Sequence, residues 1–452
     1  MNVLHHSRSR GSDAFRASST KTTPESKPMN LCNLPPQPWP SEPKVTFGPW
    51  ACEPPLDEES EAFRQSLRQF ASKIMRPIGL ELDKLSAEQV AAKGSRLYEF
   101  FAEYDKLGIS QELLASLSDE QRAVMFPLLF EELGWGDAGL AIAGAARMLP
   151  LYMAAKLGNQ FVLNEYSEEL IGCWGITEPD HGTDSLDASR QIFHAQGSYG
   201  RSNCVAKVSD GHLIINGQKS AWVSNGCIAD LCVLYCAADT PNGPDTQRGY
   251  CVVVPTNLPG VSLGKPLEKM GQRPLPQGEL YFDNVKVSLD HVLAGPDDYK
   301  RAVYAIHTDA NLLMAATFTG VARSAYDHAL AYAHERKQGG LPIIRHQDVA
   351  RRLFHMLRKV EAAQALTRRV ARFNALAPVP ALQAAMLAKV TATEHAFEVA
   401  SDAIQMFGGN GLTCEYPVEK IFRDARASMI EDGCNQILAI KGGYNLTNPE
   451  WM

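Results

Sequence analysis

The sequence lacks the features that mark several classes of protein. Its net charge of −7 argues against nucleic-acid binding, which needs clustered Lys and Arg to neutralise phosphates. It also lacks the ~18 consecutive uncharged apolar residues of a membrane span. The most apolar stretch, residues 137–154, contains Asp137, Arg147 and Pro150. We therefore expect a buried helix there, and neither a nucleic acid nor a membrane as partner.

The ten cysteines show neither a disulfide framework nor the spacing of metal ligands. Cys232 and Cys236 lie four residues apart in a strand-like segment, which places their side chains along one face, too far apart for a disulfide. A zinc site would need a second ligand pair at matching spacing, and the sequence contains none. We expect reduced thiols, no metal and a cytoplasmic location.

Common nucleotide-binding and hydrolase motifs are missing too. We find no Gly-x-x-x-x-Gly-Lys loop, no Gly-x-Ser-x-Gly elbow, no His-Glu-x-x-His and no Gly-x-Gly-x-x-Gly. What remains is a pair of glycine-rich turns, residues 178–183 and 408–411, whose backbone N–H groups suit an anionic cofactor. Near the C-terminus, two adjacent carboxylates, Glu431 and Asp432, are followed by Gly433.

The first half of the chain is predicted to contain a tail and a helical domain. Residues 1–54 are rich in Ser, Thr, Pro and charge, and they lack the apolar segment of a secretory signal. We predict a disordered tail there. Residues 55–171 are predicted to form an N-terminal helical domain, because apolar residues recur at helical spacing. One such set is Phe63, Leu67, Phe70 and Ile74.

The period of the apolar pattern changes twice in the second half. Residues 172–294 contain short β-prone runs separated by Gly, Pro and Asn, which predict an antiparallel sheet or barrel with a hairpin turn at Asn216-Gly217. Residues 295–452 return to helical spacing, which predicts a bundle. The apolar residues predicted to form the stripe that faces this bundle are Val349, Leu353, Met356, Val360, Ala363 and Val370.

Short segments spread over residues 56–445 form one pattern. They are 131–134 (EELG), 174–184 (WGITEPDHGTD), 217–226 (GQKSAWVSNG), Arg336-Lys337, His346-Gln347, 405–411 (QMFGGNG) and 423–426 (RDAR). Together, and in this order, they resemble the acyl-CoA dehydrogenase family of flavoproteins. The resemblance implies an α+β multidomain fold: a helical N-terminal domain, a middle antiparallel β-domain and a C-terminal four-helix bundle. It also implies FAD at their junction.

The resemblance implies which residues hold this cofactor. Ile176 and Thr177 would line the flavin ring, while Trp222 and Ser224 would pack and hydrogen-bond on its other side. Gly182 and Thr183 match the turn near the FAD pyrophosphate and the pantetheine arm of the substrate.

A second set of residues matches positions that reach the FAD of a neighbouring subunit. These are Arg336, Gln405 and Gly409, with Gly408 in the same glycine-rich turn. The resemblance therefore implies a homodimer or homotetramer.

The reaction that the resemblance implies needs a base. The α-proton of an acyl thioester is weakly acidic, so a positioned carboxylate removes it, and the β-hydrogen leaves as hydride to flavin N5. The usual Glu of the family aligns with Asp432, whose shorter side chain retreats by roughly 1 to 1.5 Å. Glu431 is the alternative base. Some members carry the base on an earlier helix, matching Ala310 and Asn311 here, and Asp309 beside them is a third candidate.

The predicted function is therefore an FAD-dependent acyl-thioester dehydrogenase, which forms a Cα–Cβ double bond or oxidises an α-hydroxyacyl group. The substrate would be an acyl-CoA or an acyl-carrier-protein thioester, and the electron acceptor another flavoprotein. The Asp-Gly-Cys-Asn variant resembles members that act on carrier-bound acyl groups in secondary metabolism. Two alternatives stay open: a flavin monooxygenase of the same family and a non-catalytic FAD-binding protein.

Overall fold

The chain runs from helices to strands and back to helices. The computed structural model describes residues 55–187, 192–193 and 200–447. The predicted tail, residues 1–54, lies outside the described residues. Within them the α+β fold class is confirmed.

The first helical region follows local signals in the sequence. Ser118 and Gln121 form a capping box at the start of the long sixth helix, which satisfies backbone N–H groups that would otherwise lack partners. A five-residue π-helical turn, Ala71–Met75, joins the first two helices. The helices are α1 (Glu58–Phe70), α2 (Arg76–Leu82), α3 (Ala87–Ala91), α4 (Arg96–Asp105), α5 (Gln111–Ser116), α6 (Asp119–Gly136), α7 (Ala138–Leu157) and α8 (Gln160–Glu165).

Helix α7 is the predicted apolar helix, and it is buried. By length and composition alone it could cross a membrane, but 78% of its apolar window lies inside the fold. Arg147 is buried on it and donates to Asp105 Oδ1 at 2.6 Å. A paired charge in a covered helix is typical of a protein core.

The strands between the helical regions form an eight-stranded sheet in the described residues. Their order is β6-β7-β3-β2-β4-β5-β8, and β1 also pairs with β4. The predicted antiparallel pairing holds for most neighbours, but β4 pairs with β1 and β2 in parallel. The strands are β1 (Gly172–Gly175), β2 (Cys204–Ser209), β3 (His212–Ser224), β4 (Leu231–Thr240), β5 (Gly243–Pro255), β6 (Val261–Leu263), β7 (Gln277–Ser288) and β8 (Val292–Ala294).

The predicted hairpin turn at Asn216-Gly217 is wrong, because both residues lie inside β3. The turn before β3 is made by Asp210 and Gly211, both with positive φ. Gly217 is required for a different reason: a Cβ there would lie 1.9 Å from the backbone oxygen of Asn203. The dipeptide therefore marks a close backbone approach and a register shift within the sheet.

Up to residue 447, the last one described, the C-terminal region contains three long helices and two shorter ones. They are α9 (Tyr299–Glu335), α10 (Gln347–Leu376), α11 (Leu382–Phe407), α12 (Val418–Ser428) and α13 (Asn435–Thr447), with a short hairpin of β9 (Lys337–Gln338) and β10 (Leu341–Pro342) after α9. The predicted stripe on α10 faces inward: Leu353, Met356, Val360, Ala363 and Val370 are buried. Helix α6 shares this core through Phe130 and Leu133.

Helices α6 and α9 cross at very close range. A Cβ on Gly134 of α6 would lie 2.0 Å from the backbone oxygen of Thr317, and one on Gly320 of α9 would lie 2.0 Å from that of Glu131. Each helix therefore presents a glycine to the backbone of the other.

Two buried carboxylates extend this crossing to other helices. Glu132 of α6 accepts hydrogen bonds from Arg68 of α1 and from Arg323 of α9, the latter at 2.9 Å. Its neighbour Glu131 accepts from Arg368 of α10 at 2.6 Å. Because buried charges need paired and hydrogen-bonded partners, these contacts fix four helices in one arrangement.

The crossing predicts a stability effect that can be measured. Gly134→Ala or Gly320→Ala should each lower the free energy of unfolding by about 1–3 kcal/mol or more, because the added methyl group collides with a carbonyl oxygen. Chemical denaturation measures the change. Gly443→Ala in α13 is the control, since a Cβ there meets no atom within 4 Å. A loss of stability in the control as large as in the crossing variants would contradict this account.

Candidate functional site

A cavity of about 1580 Å³ lies where the helices meet the sheet. Its walls come from α6, α7 and α9, from the segments that follow β1 and precede β7, from the end of β3, and from residues 430–433. Single-ligand pockets usually enclose about 300–1,000 Å³. The cavity is therefore large enough for a cofactor and a substrate together.

Most of the residues predicted for the site line this cavity. The glycine-rich turn, the end of β3 and the carboxylate pair come from three distant parts of the sequence. The predicted residues found in the wall are Ile176, Thr177, Gly182, Thr183, Trp222, Ser224, Glu431 and Asp432.

Buried polar contacts hold the segment after β1 against the sheet. Glu178 accepts hydrogen bonds from Lys219 Nζ at 2.6 Å and from the backbone N–H of Asn203 at 2.5 Å. The backbone oxygen of Thr177 accepts from the backbone N–H of Ser220 at 2.9 Å. Ile176 and Thr177 are therefore presented to the cavity from a rigid support.

The end of β3 contributes an aromatic side chain and a hydroxyl. Trp222 is 61% exposed in the chain alone, which is high for an indole and suits a surface that another group covers. Ser224 Oγ accepts from Gln277 Nε2 at 3.3 Å, and Gln277 Oε1 accepts from Lys269 Nζ at 2.8 Å. Both side chains adjoin the same space as Thr177.

The turn with the carboxylate pair has an unusual backbone. Asp432 has φ of +49° and Gly433 has φ of +102°, both in the left-handed region. Such a conformation at a non-glycine residue costs free energy and needs support from its surroundings. The sequence signal for this geometry is the glycine after the pair.

Three polar contacts from three regions supply that support. Asn311 Nδ2 of α9 donates to the backbone oxygen of Asp432 at 3.2 Å. Lys389 Nζ of α11 donates to the backbone oxygen of Gly433 at 2.7 Å. The backbone N–H of Cys434 donates to Thr183 Oγ1 at 3.3 Å. The last bond joins the turn at residues 431–434, called the carboxylate turn below, to the glycine-rich turn at residues 178–183.

Both carboxyl groups favour the protonated form more than usual. Desolvation, aided by the charge of Asp432, raises the pKa of Glu431 to about 7 against a hydrogen bond from Gln272 and the charges of Lys269 and Lys389. Desolvation raises the pKa of Asp432 to about 6, and Lys389 opposes it. Burial therefore makes the charged form of each carboxyl group less favourable than in water. A carboxylate with a raised pKa accepts a proton more readily than a solvent-exposed one, which suits either group to act as a base.

Lys389 supports the turn that carries the two carboxylates, and it was not among the predicted site residues. It is fully buried and also donates to Asn435 Oδ1 at 2.8 Å. Desolvation lowers its pKa to about 8, although the nearby Asp432 and Glu431 act in the opposite direction. The signal was available, because Lys389 interrupts the apolar stripe of Ala385, Ala388 and Ala392 on α11.

The remaining candidates for the base are not placed for that role. Ala310 lines the cavity but carries no acid, and Asn311 is engaged with the carboxylate turn. Asp309 also lines the cavity, where its Oδ2 accepts from Tyr152 Oη at 2.9 Å and pairs with Lys156. This pairing holds Asp309 in the wall.

The second predicted set does not line the cavity of its own chain. Arg336, Gln405, Gly408 and Gly409 are exposed. They lie where α9 and α11 end, near the ring of Tyr332, which stacks on Phe407 with 3.9 Å between centroids. Gly408 has φ of +60°.

The raised pKa values predict how stability depends on pH. A carboxyl group whose pKa is higher in the folded chain than in the unfolded chain stabilises the fold at pH values below its unfolded pKa. This stabilisation is lost as the pH rises through the folded pKa. For Asp432 the window runs from about pH 4 to about pH 6. Asp432→Asn should therefore raise Tm relative to the unmodified chain at pH 7.5, and the difference should shrink as the pH falls to 4.

Thermal unfolding between pH 4 and pH 8 measures this difference. Asp283→Asn on the exposed face of β7 is the control, and its Tm should follow that of the unmodified chain at every pH. A lower Tm for Asp432→Asn at pH 7.5 would contradict the desolvation account.

Comparisons with known proteins agree with this architecture. Residues 173–285 match the model of the acyl-CoA dehydrogenase middle domain, and residues 308–443 match that of the acyl-CoA dehydrogenase C-terminal domain. Together these cover more than half of the chain. The chain is also similar to a glutaryl-CoA dehydrogenase of Desulfococcus multivorans, with 29% identity over 85% of this chain and 96% of that protein.

Two solved structures share the fold over nearly their whole length. A glutaryl-CoA dehydrogenase in complex with glutaryl-CoA superposes with a TM-score of 0.75 and 26% identity, covering 87% of this chain and 96% of the other. Butyryl-CoA dehydrogenase from Megasphaera elsdenii also gives 0.75, at 25% identity, covering 88% and 100%. The chain belongs to the acyl-CoA dehydrogenase family, whose members are FAD-dependent oxidoreductases acting on the CH–CH groups of acyl-CoA thioesters.

Proposed function

We propose that Asp432 is the base of an acyl-thioester dehydrogenation in which it removes the α-proton of the substrate. The hydrogen bond between the Cys434 N–H and Thr183 Oγ1 carries this proposal. It ties the carboxylate turn to the turn predicted to lie along the cofactor, within a single cavity. The base and the cofactor residues thereby face the same bound substrate.

The residues around the cavity fit FAD. Trp222 offers an exposed aromatic surface, and Ser224 and Thr177 offer hydroxyl groups. The turn with Gly182 and Thr183, which the resemblance assigns to the pyrophosphate, lines the same cavity. When bound, FAD supplies the two-electron acceptor that no amino-acid side chain provides. The electrons would then pass to a separate flavoprotein.

Asp432 is prepared for proton transfer by its surroundings. Desolvation raises its pKa to about 6, so the carboxylate accepts a proton more readily than a solvent-exposed aspartate does. Lys389 holds the turn through Gly433 and places a cation near the carboxylate. Apolar side chains of α6 and α9, such as Phe130 and Leu312, line the cavity and exclude water from the reacting carbons.

Glu431 has a different role in this proposal. The positive charge of Lys269 acts on its carboxyl group. The Lys269 amine donates a hydrogen bond to Gln277, which in turn donates one to Ser224 at the end of β3. A carboxyl group with a raised pKa there tunes the charge of the site and does not touch the α-proton. The carboxylate at Asp432 supports a dehydrogenase over a monooxygenase or a non-catalytic FAD-binding protein.

The substrate in this proposal is an acyl group on a pantetheine thioester, carried by CoA or by an acyl carrier protein. Both carriers present the same pantetheine arm to the cavity. We further propose a cytoplasmic protein that works as a homodimer or homotetramer.

Substitution of each carboxylate separately tests the assignment of the base. Asp432→Asn should slow flavin reduction by acyl thioesters roughly 10²- to 10⁴-fold, the usual contribution of a general base. The matched variant Glu431→Gln should slow it by less than about tenfold. Anaerobic stopped-flow absorbance of the purified flavoprotein with panels of acyl-CoA and acyl-carrier-protein thioesters measures both rates and compares the carriers.

Two outcomes would go against the proposal. A large loss in Glu431→Gln with a small loss in Asp432→Asn would make Glu431 the base. Failure of every thioester to reduce the flavin, with O2 consumed when a reductant is supplied, would indicate a monooxygenase instead.

Substitutions of the exposed residues at the ends of α9 and α11 test whether neighbouring subunits share the FAD site. If Arg336 and Gln405 contact FAD in a neighbouring subunit, Arg336→Ala and Gln405→Ala should lower the flavin content, measured as absorbance at 450 nm relative to 280 nm. Arg358→Ala, an exposed arginine on α10, is the control. A monomer in size-exclusion chromatography that keeps its full flavin content in all three variants would refute the shared site.

A further inference from the structure

His307 of α9 is a buried polar residue that the proposed proton transfer does not use. It is 3% exposed and lines the cavity. Among the described residues neither of its ring nitrogens has a hydrogen-bond partner. Its ring packs edge-on against Trp174, with 5.4 Å between centroids, and Trp174 Nε1 also has no partner in the described part of the chain.

Another polar group of the cavity wall has its partners within the protein. Asp309, two residues along α9, is satisfied by Tyr152 and Lys156. Buried polar atoms in folded proteins nearly always have a hydrogen-bond partner, and leaving one without a partner costs free energy. Two adjacent side chains with unsatisfied nitrogens in a cavity wall therefore point to a ligand that supplies the missing partners.

His307 is close to the carboxylate turn. The backbone oxygen of His307 accepts from Asn311 Nδ2 at 2.9 Å, and the same amide donates to the backbone oxygen of Asp432. Residues 307 and 311 are about 6 Å apart along the axis of α9. The backbone of His307 is therefore joined through one amide to the segment that carries Asp432, and both residues line the same cavity.

The charge state of His307 decides which chemical group it recognises. Desolvation, with a smaller effect of Lys441, lowers the pKa of His307 to about 3, so the ring is neutral at physiological pH. A neutral imidazole carries one N–H donor and one acceptor nitrogen. The Lys156 ammonium in the cavity wall is already paired with Asp309, and a second carboxylate on the substrate would be repelled by Glu431 and Asp432, which line the same cavity. A hydroxyl group can both donate and accept, so it matches the site.

We propose that His307 and Trp174 form a hydrogen-bonding subsite for an uncharged oxygen on the acyl chain, and that the preferred substrate is a short hydroxyacyl thioester. The proposal rests on the proposed function and names the substrate class of the same site. A plain alkyl chain would leave the nitrogens of both side chains unsatisfied. The hydroxyl therefore contributes binding energy that butyryl and longer saturated chains lack.

Binding measurements on a form that does not turn over test this subsite. Isothermal titration calorimetry of the Asp432→Asn holoenzyme compares butyryl-CoA with 2-, 3- and 4-hydroxybutyryl-CoA. At least one hydroxylated thioester should bind about tenfold more tightly than butyryl-CoA, as expected for a hydrogen bond to a buried group. Adding His307→Phe, which keeps an aromatic ring beside Trp174 and removes both nitrogens, should abolish that preference.

Two further variants separate recognition from structure. His307→Gln retains a donor and an acceptor and should keep part of the preference, whereas a purely structural role would not be rescued in this way. His334→Phe, an exposed histidine on the same helix, should change nothing. The subsite is overturned if butyryl-CoA binds as tightly as every hydroxylated thioester, or if His307→Phe leaves the ratio unchanged. If no CoA or carrier-protein thioester reduces the flavin of the unmodified holoenzyme, the proposed function itself fails.

Discussion

The close crossing of α6 and α9 is the constraint on which the rest of the structure depends. Gly134 and Gly320 allow the backbones to touch, and Glu132 then pairs with arginines from α1 and α9. Helix α9 is 37 residues long, so fixing it at this point sets both of its ends. One end lines the cavity, and the other lies at the exposed residues predicted to serve a neighbouring subunit. The geometry of the site thus follows from a contact that takes no part in the chemistry.

The carboxylate turn shows how three regions of the chain combine into one site. Asn311 and Lys389 hold its backbone from two helices, and Thr183 holds it from the glycine-rich turn. Desolvation shifts the pKa values of the buried Lys389 ammonium and of the two carboxyl groups toward neutral, and the attraction between the lysine and the carboxylates opposes those shifts. Because the bonds go to backbone oxygens of Asp432 and Gly433, the carboxylate of Asp432 stays available to a substrate. The strained backbone and the reactive side chain therefore have separate supports.

The polar groups of the cavity divide according to whether the protein satisfies them. Asp309 is fully engaged with its neighbours, while His307 and Trp174 present nitrogens without partners in the described chain. Groups with partners in the protein maintain the cavity wall. We interpret the groups without such partners as binding a ligand. A saturated alkyl substrate would need neither. Selectivity for the acyl group would then reside on α9, one helical turn from the segment that supports the base.

Much of the fold and part of the site follow from the sequence alone. Apolar spacing placed the buried face of α10, and the joint motifs identified the family and the cavity residues from Ile176 to Asp432, because local patterns report local structure. The sequence did not reveal that Asn216-Gly217 lies within a strand, since a turn signal and a close backbone approach use the same residues. Nor did it reveal Lys389 and His307, whose surroundings come from remote segments. Only tertiary packing decides which polar side chains are desolvated, and desolvation sets their charge and their need for partners.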